Sequence, residues 1–126
     1  MRKLTAILCL TLAVLLGSAG CTTTIDDVNQ GYIAYQKGDY ATALRELKPL
    51  AEQGDAKSQK NLGVMYEFGK GVPQDNKTAV KWYRLAAEQG NASAQTNLGV
   101  MYEYGKGVLQ NYETAVKWYR LAAEQG

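Results

Sequence analysis

The sequence predicts an all-α fold, a short right-handed solenoid of stacked helix-turn-helix repeats. Internal repetition carries the prediction. Asn61-Leu62-Gly63-Val64-Met65-Tyr66-Glu67 recurs as Asn97-Leu98-Gly99-Val100-Met101-Tyr102-Glu103, and Thr78 to Gly90 recurs whole at Thr114 to Gly126. Both blocks shift from 61 to 97 and from 78 to 114, an offset of 36 residues. A period of that size holds one helical hairpin, which cannot bury its apolar face alone and stacks on its neighbour. The second observation is spacing: apolar and small residues recur at three and four positions between short glycine-marked breaks, the period of a helix buried on one side.

The first element is a leader. Arg2 and Lys3 precede an uncharged, leucine-rich run from Leu4 to Leu16, followed by Gly17, Ser18, Ala19 and Gly20. That is the order of a signal peptide, and the run is shorter than the roughly 20 apolar residues a spanning helix needs. A buried first helix is the alternative, but nothing downstream offers the apolar partner it would require. Residues 1–20 are therefore expected to be removed. Cys9 leaves with them, so Cys21 is the one cysteine of the mature chain. Ser18-Ala19-Gly20-Cys21 resembles a bacterial lipobox, with Ser18 where leucine is commoner. The resemblance implies a lipid on Cys21, cleavage just before it, and, since Thr22 is not Asp, an outer-membrane destination facing the periplasm. Ser18 and Gly20 also suit an ordinary signal peptidase, which would leave a free N-terminal cysteine in an oxidising compartment. Residues 21–27 are read as the lipidated cysteine and its tether.

Residues 28–54 form a degenerate hairpin with the short turn Gly38-Asp39-Tyr40. Ala43, Leu47 and Leu50 supply its core stripe, and Pro49 is expected to interrupt and kink its second helix. The two full repeats occupy 55–90 and 91–126. Gly54 and Gly90 end helices, and Asp55 and Asn91 cap the next ones. In the first helix of each full repeat the core stripe is Ala56, Gln59, Leu62, Gly63 and Tyr66, then Ala92, Gln95, Leu98, Gly99 and Tyr102. Gly63 and Gly99 sit mid-helix, about 1 kcal/mol less favourable than Ala, and so predict close approach of the partner helix. In the second helix Ala79, Tyr83 and Ala86 face the core with Trp82 and Leu85, while Lys81, Arg84 and Glu88 face solvent. The turn Gly69-Lys70-Gly71-Val72-Pro73-Gln74-Asp75 and its counterpart 105–111 tuck Val72 and Val108 against the core. They lack the loop length, the strand and the Ser or Thr of a phosphate loop.

At Leu-Gly-Val-Met-Tyr, Gly-Lys-Gly-Val, Ala-Val-Lys-Trp-Tyr and Ala-Ala-Glu-Gln-Gly the chain resembles the Sel1-like repeats, a branch of the tetratricopeptide repeat superfamily. The resemblance covers residues 56–126, and the segment from Val28 to Gly54 is similar to an ordinary tetratricopeptide unit. It implies a non-catalytic adaptor or scaffold.

Chemistry is sparse. The chain has no histidine, and with Cys21 committed to the anchor there is no thiol nucleophile, no metal-ligand cluster and no implied cofactor. Arg2 and Lys3 account for the whole excess of 14 basic over 12 acidic residues, so the mature chain is near neutral and nucleic-acid binding is not expected. Glu67 and Glu103 are the carboxylates of most interest, although solvated helix positions explain them. The expected partner is a protein or peptide segment, lying in a groove lined by Lys57, Lys60, Asn61, Val64, Glu67 and Phe68 with Asn97, Val100, Glu103 and Tyr104. A cysteine-rich Sel1-type, β-lactamase-like hydrolase is the alternative; the chain lacks both the disulfide per repeat and a Ser-x-x-Lys motif. A purely structural envelope brace is another. The uncapped last hairpin should leave Trp118, Tyr119 and Leu121 partly exposed, which predicts self-association, a partner docked at that end or a truncated gene product.

Overall fold

The computed structural model describes residues 25–126. The leader, Cys21 and the first residues of the tether lie outside the described residues. Six helices follow in order: α1 (Ile25–Gln36), α2 (Tyr40–Glu52), α3 (Ala56–Phe68), α4 (Asn76–Glu88), α5 (Ala92–Tyr104) and α6 (Tyr112–Ala123), with no strand among the described residues. They form three hairpins, and the main packing is between helices adjacent in the chain. The first helix begins at Ile25, so residues assigned to the tether are helical.

The helix starts follow from short polar side chains. Asp55 accepts from the Ser58 N–H at 2.7 Å and Asn91 from the Ala94 N–H at 2.9 Å. Asp75 and Asn111 do the same for α4 and α6, at 3.1 and 2.9 Å. Each satisfies an N–H that the first helical turn leaves without a partner. Gly69 and Gly105 close α3 and α5 in the left-handed conformation, φ 63° and 64°, and donate back to the Met65 and Met101 carbonyls. Gly54 and Gly90 follow the last turns of α2 and α4 with positive φ, as expected.

Within each hairpin the two helices cross at a glycine. A Cβ on Gly63 would run into Cδ1 and Cε1 of Tyr83, and one on Gly99 would lie 2.6 Å from Cε1 of Tyr119. Gly31 makes the same crossing against Leu47, where a Cβ would meet Cδ2 at 2.8 Å. The three crossings set the register between hairpins: Gly31, Gly63 and Gly99 are equivalent, as are Leu47, Tyr83 and Tyr119.

Two core clusters lie between the hairpins. Ala34, Ala43, Leu47, Ala51, Leu62 and Met65 form one. Val80, Tyr83 and Ala87 of α4 form the other with Ala94, Leu98 and Met101 of α5. Val72 packs on the first and Val108 on the second, as expected.

Four details depart from the expected pattern. The α3 stripe is too narrow, since Ser58, Asn61, Met65 and Glu67 are also buried; α3 packs on both α2 and α4, so more than one face is covered. On α4, Val80 and Ala87 are buried while Leu85 is exposed, because α5 covers the side of the helix opposite Leu85. Arg84 is not a solvent residue but donates to the Tyr102 hydroxyl at 2.7 Å, tying α4 to α5. Pro49 does not interrupt α2, which runs through it to Glu52; the proline is exposed, where water can serve the carbonyl left without a donor.

Candidate interaction surface

The polar residues of α3 and α5 divide into those used between helices and those left for a partner. Glu67 is 8% exposed. Its Oε2 accepts from the Tyr83 hydroxyl at 2.7 Å, and its Oε1 lies 3.7 Å from the Lys106 ammonium. The Asn97 side chain of the next hairpin lies beside the Tyr83 hydroxyl. The phenol thus binds a carboxylate of its own repeat and faces an amide of the following one. Burial, then the Glu67 carboxylate, pushes the Tyr83 hydroxyl far above its ordinary pKa. Tyr119 donates to Glu103 Oε2 at 2.6 Å, and the same causes push its pKa up to about 12. Neither phenol is a base or nucleophile near neutral pH.

The same register explains Asn61. It is the α3 equivalent of Asn97, but the residue equivalent to Tyr83 in the preceding hairpin is Leu47, which has no hydroxyl. Asn61 is buried and its Nδ2 has no hydrogen-bond partner. At the other end of these helices glutamines form a second series of links. Gln59 and Gln95 donate to the Ala51 and Ala87 carbonyls at 3.0 and 3.1 Å. Gln89 and Gln125 then donate to the Oε1 atoms of Gln59 and Gln95, both at 2.8 Å.

Four of the ten expected groove residues are thus spoken for. Glu67 and Glu103 are not solvated helix positions but acceptors for tyrosine, Asn97 faces the Tyr83 hydroxyl, and Asn61 is inaccessible. Reading each helix as having a single buried stripe hid this. The signal that could have shown it is the Glu–Tyr pair 16 residues apart, present at 67 and 83 and again at 103 and 119.

The remaining six share one face. Lys57 is exposed, with its ammonium 4.7 Å from the Tyr32 ring centroid. Lys60 is half-buried, and desolvation, then the neighbouring Lys57, lowers its pKa. The ion pairs of the described residues, Arg45–Glu46, Lys106–Glu67 and Lys117–Glu113, involve neither lysine. Val64 and Val100 are half-buried. Phe68 and Tyr104, equivalent in successive repeats, are 60% and 64% exposed. Among the described residues no three His, Cys, Asp or Glu side chains gather as a metal site requires, and no helix is long and apolar enough to cross a membrane.

The family profile described as the Sel1 repeat matches residues 56–91 and 92–126, more than half of the chain. The chain belongs to the Sel1 repeat family. Sel1 repeats are generally non-catalytic scaffolds that mediate protein–protein interactions. A solved Sel1 repeat protein from Oxalobacter formigenes is 43% identical over 75% of this chain, with a TM-score of 0.73. The antigen c5321, described as protective, present in uropathogenic Escherichia coli strains and displaying an SLR fold, is 44% identical over 79% of this chain, with a TM-score of 0.74. The chain spans 39% and 22% of those two structures' lengths. No curated protein matches it. The two matched Sel1 units begin one residue after the expected repeat boundaries, at α3 and α5.

Proposed function

We propose that this Sel1 array is a non-catalytic adaptor of the bacterial cell envelope, held at the outer membrane by a lipid on Cys21. It would grip an extended or helical segment of a partner protein along the outward face of α3 and α5. The observation that carries this reading is the pair Phe68 and Tyr104, large aromatics exposed at equivalent positions of successive repeats. Beside them Val64 and Val100 continue an apolar track, and Lys57 and Lys60 edge it with positive charge. Aromatic anchors within a polar rim are what protein-binding surfaces present, and exposed apolar residues grouped on one face mark such surfaces.

The test is crosslinked recovery of partners from the native cells, comparing the unaltered protein with Phe68→Glu/Tyr104→Glu and Cys21→Ser, alongside intact mass of the mature N-terminus. Acylation at Cys21 and a partner lost with the double substitution support the reading. Unchanged recovery with the double substitution removes this surface from consideration. An unmodified N-terminus removes the anchor.

A further inference from the structure

α3 and α5 are near copies, and the places where they differ single out one end of the outward face. The two helices carry the same residue at every position but four: Lys57 against Ser93, Ser58 against Ala94, Lys60 against Thr96 and Phe68 against Tyr104. Ser58 and Ala94 are fully buried, and Phe68 and Tyr104 exchange one exposed aromatic for another. The change of surface chemistry is therefore at 57 and 60. On one side of α3 the row Lys57, Lys60, Val64 and Phe68 is cationic at the helix start and aromatic at its end, whereas the matching row of α5, Ser93, Thr96, Val100 and Tyr104, is uncharged. Thr96 spends its hydroxyl on the Ala92 carbonyl of its own helix, at 3.1 Å.

Stacking does not require the two lysines, because Ser93 and Thr96 hold the same places in the same fold. The lysines also cost the fold stability. Like charges three positions apart on a helix repel, and Lys60 is half-buried, its pKa lowered first by desolvation and then by Lys57. The acids of α3 and α5 give no relief: Glu67 accepts from Tyr83 and faces Lys106, and Glu103 accepts from Tyr119. Local choices that the fold does not need and that weaken it are expected at functional surfaces.

We propose that Lys57 and Lys60 form a carboxylate subsite, so that the partner segment is acidic where it crosses the start of α3 and carries a bulky apolar side chain where it passes Phe68. The proposal rests on reading the α3–α5 face as the docking surface and names the chemistry of its occupant. A carboxylate set between the two ammoniums offsets their repulsion and accepts charge-assisted hydrogen bonds from both. The Tyr32 ring, 4.7 Å from the Lys57 ammonium, steadies that charge at the start of the face. From 60 to 68 the helix rises about 12 Å, a distance that an extended segment covers in about four residues. The uncharged row of α5 asks for no acid, so the difference between the repeats places the acidic part of the segment over α3.

A library of random dodecapeptides displayed on phage, selected against the full chain, tests this. Enriched peptides should carry Asp or Glu about four residues from Phe, Trp or Leu, and fluorescence anisotropy should show their binding weakening with salt. Lys57→Ser/Lys60→Thr writes the residues of α5 into α3. It should weaken an enriched acidic peptide on the order of tenfold or more, remove most of the salt dependence, and leave the urea midpoint unchanged or higher. Enriched peptides without acids, lost on Phe68→Glu/Tyr104→Glu, overturn the carboxylate subsite and keep the docking surface. Acidic peptides that bind the lysine variant equally well also overturn the subsite. A lower urea midpoint in that variant makes the lysines part of the stack, paired for instance with Asp26 or Asp27 of α1, and overturns it too. No enrichment, or enrichment indifferent to both variants, overturns the α3–α5 docking reading along with it.

Discussion

Replacing Tyr83 by Phe removes one oxygen and tests the link between the two helices of its repeat. That oxygen donates to the buried Glu67 carboxylate at 2.7 Å. A hydrogen bond to a charged group contributes about 1.5–3 kcal/mol, and stripping a buried carboxylate of its partner adds part of its desolvation penalty. After the substitution Glu67 keeps only Lys106, at 3.7 Å and on a half-exposed side chain. A loss of about 3 kcal/mol is therefore expected. Tyr119→Phe removes an equally short bond, 2.6 Å to Glu103, yet both residues are half-exposed and water can replace the hydroxyl. Its expected loss is about 1 kcal/mol or less. Urea unfolding followed by far-UV circular dichroism at neutral pH compares the two. Losses within about 0.5 kcal/mol of each other, or a larger loss for Tyr119→Phe, would refute the argument that burial of the Glu67–Tyr83 bond makes it strong.

The same phenol predicts the alkaline limb of the stability profile. Its folded pKa is raised above the ordinary value of 10.0, so its contribution is complete below pH 10 and falls as pH rises further, by about 1.4 kcal/mol per pH unit while only the unfolded chain ionises. Tyr83→Phe should flatten that fall, as urea midpoints taken between pH 9 and 11.5 would show. Gly63→Ala should destabilise by about 2–3 kcal/mol despite its better helix propensity, because the new methyl meets the immobile Tyr83 ring. Gly99→Ala should be milder, since the Tyr119 ring is half-exposed and can yield; thermal unfolding of the pair measures the difference. Asn61→Leu, which removes a buried amide without a partner, should be neutral or stabilise by about 1 kcal/mol, and be better tolerated than Asn97→Leu, whose amide lies beside the Tyr83 hydroxyl. Opposite results in chemical denaturation would mean that the hairpins are not related by the register proposed.

Much of this was legible in the chain. The 36-residue offset, the caps at Asp55, Asp75, Asn91 and Asn111, and the mid-helix Gly63 and Gly99 follow from rules that act within one helix or one turn. The recurring blocks by themselves determined how many full repeats there are, where their helices begin and end, and where two helices must approach closely. Which polar residues remain for a partner could not be read that way. Glu67 looks like a surface carboxylate until Tyr83, 16 residues on, is seen to point into it, and Gln89 looks like a turn residue until it reaches Gln59, 30 residues back. Arg84 likewise looks solvent-facing until α5 brings Tyr102 to it. Helical periodicity reports the direction of a side chain about its own axis, but not what the neighbouring repeat places in front of it. Only stacking decides that, by covering Val80 and leaving Val116 open on two helices that share the run Thr-Ala-Val-Lys-Trp-Tyr-Arg-Leu-Ala-Ala.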